Sequence, residues 1–179
     1  MKSRILDGSR VYLRSIEDAD TENVVKWRNA PHVKERLYTQ FDVTPEQHRM
    51  WMQTKVLSGL CSQFILHDKA RGTPVGTTFL KNIEREHRKA EFGIFIGEFE
   101  SLGKGIGSEA TSIMIRHGFE TLNLNKVYLT VFEDNSPAIR SYEAAGFRHS
   151  GLFQEDYWRD GRWYNVVYME MLASEYATR

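Results

Sequence analysis

The stretch Val131–Phe147, VFEDNSPAIRSYEAAGF, changes character twice in one short run. It opens as the end of a β-branched and aromatic segment, KVYLTVF (Lys126 to Phe132), which reads as a strand. An acidic break at Glu133 and Asp134 follows, and then the spacing becomes helical. Ser136 is placed to cap that helix, Pro137 sits where a missing N–H costs nothing, and Gly146 supplies a left-handed stop before Phe147. A strand that feeds a helix through so short a loop is a unit of an α/β layer.

Upstream, SLGKGIGSEATSIM (Ser101 to Met114) places Gly103, Gly105 and Gly107 directly before another helical pattern. The nucleoside-triphosphate loop is excluded, because Lys104 is followed by Gly105 and not by Ser or Thr. The dinucleotide fingerprint fails as well: the last two glycines are one residue too close, and no early βαβ unit surrounds them. What remains is either a plain strand-to-helix turn or a loop of amides at a helix N-terminus, with Lys104 among them, offered to a pyrophosphate.

The other elements read as follows. RVYLRSI (Arg10 to Ile16) is a first strand, and a helix carrying Val24, Val25 and Trp27, capped by Asp18 or Asp20, stops before Pro31. TPEQHRMW starts a helix with Thr44 as cap, Pro45 at its first position and Gln47 completing a capping box. Gln63–Asp68, Pro74–Ile83 and Lys89–Ile96 are three strands, and two more, LFQEDYW and WYNVVYMEML, close the chain as a hairpin around RDGR, with Asp160-Gly161 as its turn. The order of elements predicts a mixed α/β layer with parallel and antiparallel neighbours.

With 179 residues, 41% apolar and 27% charged, the chain is expected to be one domain, 1–179, with one core. Lys plus Arg and Asp plus Glu balance at 24 each, which argues against a nucleic-acid or membrane-surface partner. The absence of a spanning apolar run and of a signal-peptide core after Met1 predicts a cytoplasmic protein. The one cysteine, Cys61, reads as a small semi-buried hydrophobe, and the six histidines offer no metal-ligand spacing.

The Gly-rich loop followed, thirty positions after Gly105, by Asn135, the helix with Tyr142, and Gly146-Phe147 strongly resembles the GNAT acetyltransferase superfamily. The resemblance covers nearly the whole chain, from VYLRSIEDAD to the closing hairpin. It implies an α/β (α+β) fold: a mixed, twisted sheet of about seven strands, flanked by helices, whose central strands Ala90–Ile96 and Lys126–Phe132 splay apart to admit a pantetheine arm. It implies acetyl-CoA as co-substrate, no metal, and a homodimer or higher homo-oligomer. The amides of Gly103, Lys104, Gly105, Ile106, Gly107 and Ser108 would hold the pyrophosphate. The backbone of Phe95, Ile96 and Gly97 would pair with pantetheine, and Asn135 would bond the cofactor near the mouth. The family has Gln or Arg where this chain has Leu102, a departure that backbone-mediated binding should tolerate.

Acetyl transfer to an amine needs a deprotonated nucleophile, a donor for the tetrahedral oxyanion and a proton for the leaving thiolate. By family position Tyr142 is the general acid, since a phenol with a pKa near 10 stays protonated at neutral pH. Glu91, opening the splayed strand, is the candidate base or water-orienting carboxylate, against the plainer reading of a salt bridge to Arg88 or Lys89. HRKAEFGIFI and GFETLNLNKVYLTV resemble spermidine and ribosomal-protein alanine acetyltransferases. KWRNAPHVKERLYTQFDVTPEQHRMW resembles acetyltransferases of UDP-linked 4-amino-sugars and would place Arg28, Tyr38, His48 and Trp51 at the substrate. The amino-sugar is the favoured acceptor, with polyamine or protein N-terminus as alternatives. A non-catalytic acyl-CoA-binding module is the rival of another class.

Overall fold

The computed structural model describes residues 4–178, so both ends of the expected 1–179 span lie outside the described residues. Strands β1 (Ile5–Asp7) and β2 (Val11–Ser15) lead into helices α1 (Thr21–Asn29), α2 (Pro31–Lys34) and α3 (Pro45–Trp51). Strands β3 (Ser62–Asp68), β4 (Thr73–Glu84) and β5 (Lys89–Ile96) follow, then α4 (Ile106–Arg116), β6 (Lys126–Phe132) and α5 (Ser136–Ala145). The hairpin β7 (Arg148–Arg159) and β8 (Arg162–Leu172) precedes the short α6 (Ala173–Tyr176). These strands form one mixed sheet of eight, in the order β1-β2-β3-β4-β5-β6-β8-β7. The sequence reading expected about seven; the strand it missed is β1, three residues long and paired to β2 alone.

Every neighbour pair is antiparallel except β5 and β6, which run parallel and share only three residue pairs, Lys89–Lys126, Ala90–Val127 and Glu91–Tyr128. Past that seam the two strands part. Alternation along β3 buries both faces of the sheet: Phe64 and Leu66 join the core beneath α4, while Ile65 joins Trp27, Val24 and Met52 on the opposite side. The helix faces match. Ile106, Ala110, Ile113 and Met114 of α4 are buried, as one stripe of a 3.6-residue period requires.

The turn chemistry follows the sequence at three points. Thr44 accepts from the Gln47 N–H while Gln47 reaches back to the Thr44 N–H, starting α3. Gly146 (φ 104°) stops α5, with its N–H and that of Phe147 both donating to the Tyr142 carbonyl. Asp160 and Gly161, both at positive φ, form the two-residue turn of the last hairpin. One expectation fails: Asn135, not Ser136, is the cap residue of α5, and its side chain makes no capping bond.

Candidate active site

The glycine-rich segment ends β5's connection and starts α4. Gly103 (φ 72°) and Gly105 (φ 74°) adopt the left-handed conformation that L side chains resist, and Gly105 is the cap residue. The first backbone bond of the helix is Glu109 N–H to Gly105 C=O, so the amides ahead of it have no helical acceptor. A Cβ built on Gly103 or Gly107 would meet nothing within 4 Å, so both face open space. Glu109 anchors this turn from behind by accepting from the Ser9 hydroxyl (2.8 Å) and the Arg10 N–H. Gly103, Gly105, Ile106, Gly107 and Ser108 line one end of a cleft of about 690 Å³ that runs between β5 and β6. Open amides at a helix N-terminus, with no side chain in front of them, fit the pyrophosphate of a coenzyme A.

The cleft's long wall is β5. Groups of alternate residues point to opposite neighbours. Gly97 N–H donates to the Val75 carbonyl (2.8 Å), and the Gly93 carbonyl accepts from the Thr78 hydroxyl (3.0 Å), so the backbone of Gly93, Phe95 and Gly97 is turned toward β4. Ile94 and Ile96 therefore turn their backbone groups to the open side, and the Ile96 carbonyl lies 3.3 Å from His32 Nε2. This corrects the expectation for Phe95 and Gly97: the first contributes its side chain to the core below α1, and the second is engaged with β4 and does not line the cleft. Gly97 has a different reason to be glycine. A Cβ there would lie 1.9 Å from Trp27 Cγ, and Trp27, 1% exposed, is held under the end of β5 by its Nε1–H donating to Glu98 (2.7 Å).

At the other end stand Tyr142, Tyr38 and Glu91. The Tyr142 ring rests edge-on against Phe92 and Phe147, with centroids 6.0 Å away in each case. Burial, with Tyr38 nearby, pushes its phenol up to about 12. Tyr38 is packed on Phe132 (4.9 Å) and Tyr157 (5.4 Å), its carbonyl accepts from the Tyr157 hydroxyl, and burial raises its phenol while the Thr130 hydroxyl opposes that. Glu91 does form a salt bridge, but not to Arg88 or Lys89. Lys81, its directly opposed partner on β4, holds it at 2.9 Å, and Asn82 donates to its other oxygen at 3.1 Å. Arg88 bonds Asn123 and Lys89 bonds Glu84 instead.

The sequence-predicted residues thus divide. Tyr142, Glu91, Phe95, Ile96, Gly103, Gly105, Ile106, Gly107, Ser108, Asn135 and Tyr38 are brought to one cleft, whereas Gly97 and Lys104 are beside it without lining it. Arg28, His48 and Trp51 lie elsewhere. Arg28 donates to Thr39 (3.2 Å), His48 is buried against Thr21 (3.1 Å), and Trp51 Nε1–H donates to Gln63 (3.1 Å). The segment after α2 holds Arg28, α1 holds His48 and β3 holds Trp51, and none of the three lines this cleft, which corrects their expected place at the substrate. Leu102 does line it, 43% exposed, an apolar side chain at the mouth. His32 and Phe79 of the lining went unnoticed in the sequence: His32 sits in the four-residue helix that Pro31 starts, and Phe79 belongs to a strand pattern that reads as core. Cys61 is buried, with its thiol pushed up to about 12, as an inert packing residue should be. Among the described residues there is no group of three or more His, Cys, Asp or Glu that could hold a metal ion. No described helix is long and apolar enough to cross a membrane.

Residues 10–148 match the family model described as an acetyltransferase (GNAT) domain. The spermidine N(1)-acetyltransferase of Vibrio cholerae is 30% identical over 175 residues, covering 96% of this chain and 98% of its own. The crystal structure of spermidine N-acetyltransferase from Vibrio cholerae in complex with CoA and spermine superimposes with a TM-score of 0.87 at 27% identity, over 95% of this chain and 99% of that one. A dodecameric structure of the Vibrio cholerae enzyme in an intermediate state gives 0.81 at 27% identity, over 94% and 97%.

Proposed function

The chain belongs to the GNAT acetyltransferase family and is an acetyl-CoA-dependent N-acetyltransferase, and on that premise we propose that its acceptor is the primary amine of a small molecule. The observation that carries this reading is the meeting, in one cleft, of open amides at the α4 terminus, the parted β5 and β6, and the Tyr142 phenol.

In this reading the amides from Gly103 to Ser108 hold the pyrophosphate, and Asn135, its side chain free of capping duty, bonds the cofactor at the mouth. The open-side N–H groups of Ile94 and Ile96 are the donors for the oxyanion that forms when the amine attacks the thioester carbon. Tyr142 delivers its proton to the departing thiolate; its raised pKa keeps that proton in place at neutral pH. Glu91 is fixed at two oxygens by Lys81 and Asn82, so it suits orienting a water that relays the ammonium proton better than it suits free movement toward the amine. A non-catalytic binding module would have no use for a protonated phenol lining the cleft.

For the acceptor, a UDP-linked 4-amino-sugar is the first reading. It draws support from Glu91, whose charge Lys81 already meets at 2.9 Å and which is therefore not free for a polycation. The second reading, a polyamine, draws support from the named relatives. Residues 1–179 act as one acetyltransferase domain. Homo-oligomers are favoured by the assembly named for the similar enzyme and by the exposed face of β7, with Phe153 and Trp158 about half exposed. Thiol release from acetyl-CoA, followed against UDP-amino-sugars, spermidine and N-terminal peptides, tests the reading. Turnover of peptides alone would overturn the small-molecule assignment, and no turnover of any amine would overturn acceptor chemistry altogether.

A further inference from the structure

Glu35 and Arg36 also wall a second, open hollow of about 700 Å³ that adjoins the acceptor end and is bordered by Asp134, Tyr164 and the β7–β8 turn with Arg159 and Arg162. Arg159 is its unusual member. The side chain is only 12% exposed, laid over Tyr164 (4.5 Å) and Phe132 (5.2 Å), with one Nη donating to the Glu35 carbonyl (2.7 Å). Its buried Nε has no hydrogen-bond partner among the described residues. The nearest carboxylate, Asp160, is 3.6 Å away and 84% exposed. Arg162 lies over the same ring (4.2 Å), and Asp134 is divided between it (3.7 Å) and Arg36 (3.6 Å). Arg159 and Arg162, both held over its ring, draw the Tyr164 phenol below its ordinary value.

The hollow is formally neutral, because Lys34, Arg36, Arg159 and Arg162 face Glu35, Asp42, Asp134 and Asp160. The pairing is uneven. Lys34 and Asp42 meet at 2.6 Å, but the arginines stand 3.4 to 3.7 Å from their carboxylates, well outside the roughly 2.7–2.9 Å of a charge-assisted bond. Burying a guanidinium with a donor unmatched is costly unless an acceptor arrives. A planar or tetrahedral oxyanion could take the free edges of two such forks at once.

We propose that this hollow binds an oxyanion group of the acceptor through Arg159 and Arg162, so that the acceptor is an amine carrying negative charge at its far end, as a diphosphate-linked amino-sugar does. The inference rests on the cleft being the acceptor site, and it moves the anion-binding role from Arg28 to the hairpin.

The probe is inorganic pyrophosphate, titrated into the full chain saturated with coenzyme A so that the α4 loop is filled, with quenching of Trp158 and Trp163 fluorescence as readout; acetate at equal concentration is the monocarboxylate arm. Saturable pyrophosphate binding, weakened about tenfold or more in Arg162→Gln and in Arg159→Gln, is expected. Arg162, 65% exposed, keeps the test open should the Arg159 variant misfold. With a UDP-amino-sugar, Arg162→Gln should raise KM by a similar factor and leave kcat within about twofold. Absent pyrophosphate binding, a response to acetate alone, or an acceptor KM indifferent to Arg162→Gln overturns the proposal. Pyrophosphate binding that depends on Arg162 in a protein that turns over no amine would uphold the anion site while sinking the acceptor reading.

Discussion

At the α4 end of the cleft the groups turned toward a ligand are backbone amides within six consecutive positions, 103–108. At the Tyr142 end they are side chains gathered from β5, α5 and the segment after α2, which approach one another only when the sheet forms. The first end is set by φ values and by what is missing from glycine, the second by ion pairs and ring packing. The difference predicts that damage at the α4 end shows mainly in cofactor affinity and damage at the Tyr142 end in the chemical step.

The largest effect should come from Tyr142→Phe, which keeps the ring against Phe92 and Phe147 and removes the proton. Single-turnover rates should fall on the order of 10²-fold with acetyl-CoA affinity unchanged. An unaltered rate would move the acid role to another group. Next in size is Gly97→Ala, at the point where β5 leaves the sheet. Its methyl would drive into Trp27, a buried ring with little room to yield, and a loss of about 2–3 kcal/mol is expected in urea unfolding. Wild-type stability in that variant would show that the Trp27 seat is soft. Gly105→Ala places a Cβ at φ 74°, near the flexible tip of Arg10, and should cost about 1–2 kcal/mol. If that strain falls on the bound loop, the KM for acetyl-CoA rises about five- to thirtyfold with kcat nearly constant; a kcat effect instead would erase the contrast between the two ends. The smallest expected change is a flat line. Because the Tyr142 pKa is raised toward 12, its proton is retained through the neutral and mildly alkaline range, and the alkaline fall in kcat from its ionisation lies above pH 11. A limb near pH 10 that disappears in Tyr142→Phe would show that the phenol is wetter than its surroundings imply.

The same contrast explains what could be read from the chain before it folded. Local features were legible: the Thr44–Gln47 box, the Asp160-Gly161 turn, the Gly146 stop and the glycine loop each depend on neighbours a few residues apart. The family motif carried Tyr142, Asn135 and the parting of β5 from β6. Long-range pairing was not legible. Nothing near Glu91 in the sequence points to Lys81, because that partnership depends on the register of two antiparallel strands. Arg28, His48 and Trp51 follow the periodicity of α1 and α3, but the partners that hold them, Thr39 after α2, Thr21 of α1 and Gln63 of β3, are set by tertiary packing and not by that spacing. Strand β1, at three residues, is shorter than any periodicity can register.

A sheet that forks in its middle has four edges, two outside and two inside, and unpaired edges invite foreign strands. Here both faces of β5 are already covered, by the cluster beneath α4 and α5, with Phe92, and by the Trp27 cluster, with Phe95. A polypeptide entering the fork would have to place side chains alternately into those two filled layers. A slender amide-bearing thread with no branches has nothing to place there. The fork therefore sorts guests by bareness before any binding group is consulted, which allows an open hydrogen-bonding edge to persist inside the protein without becoming a site of aggregation.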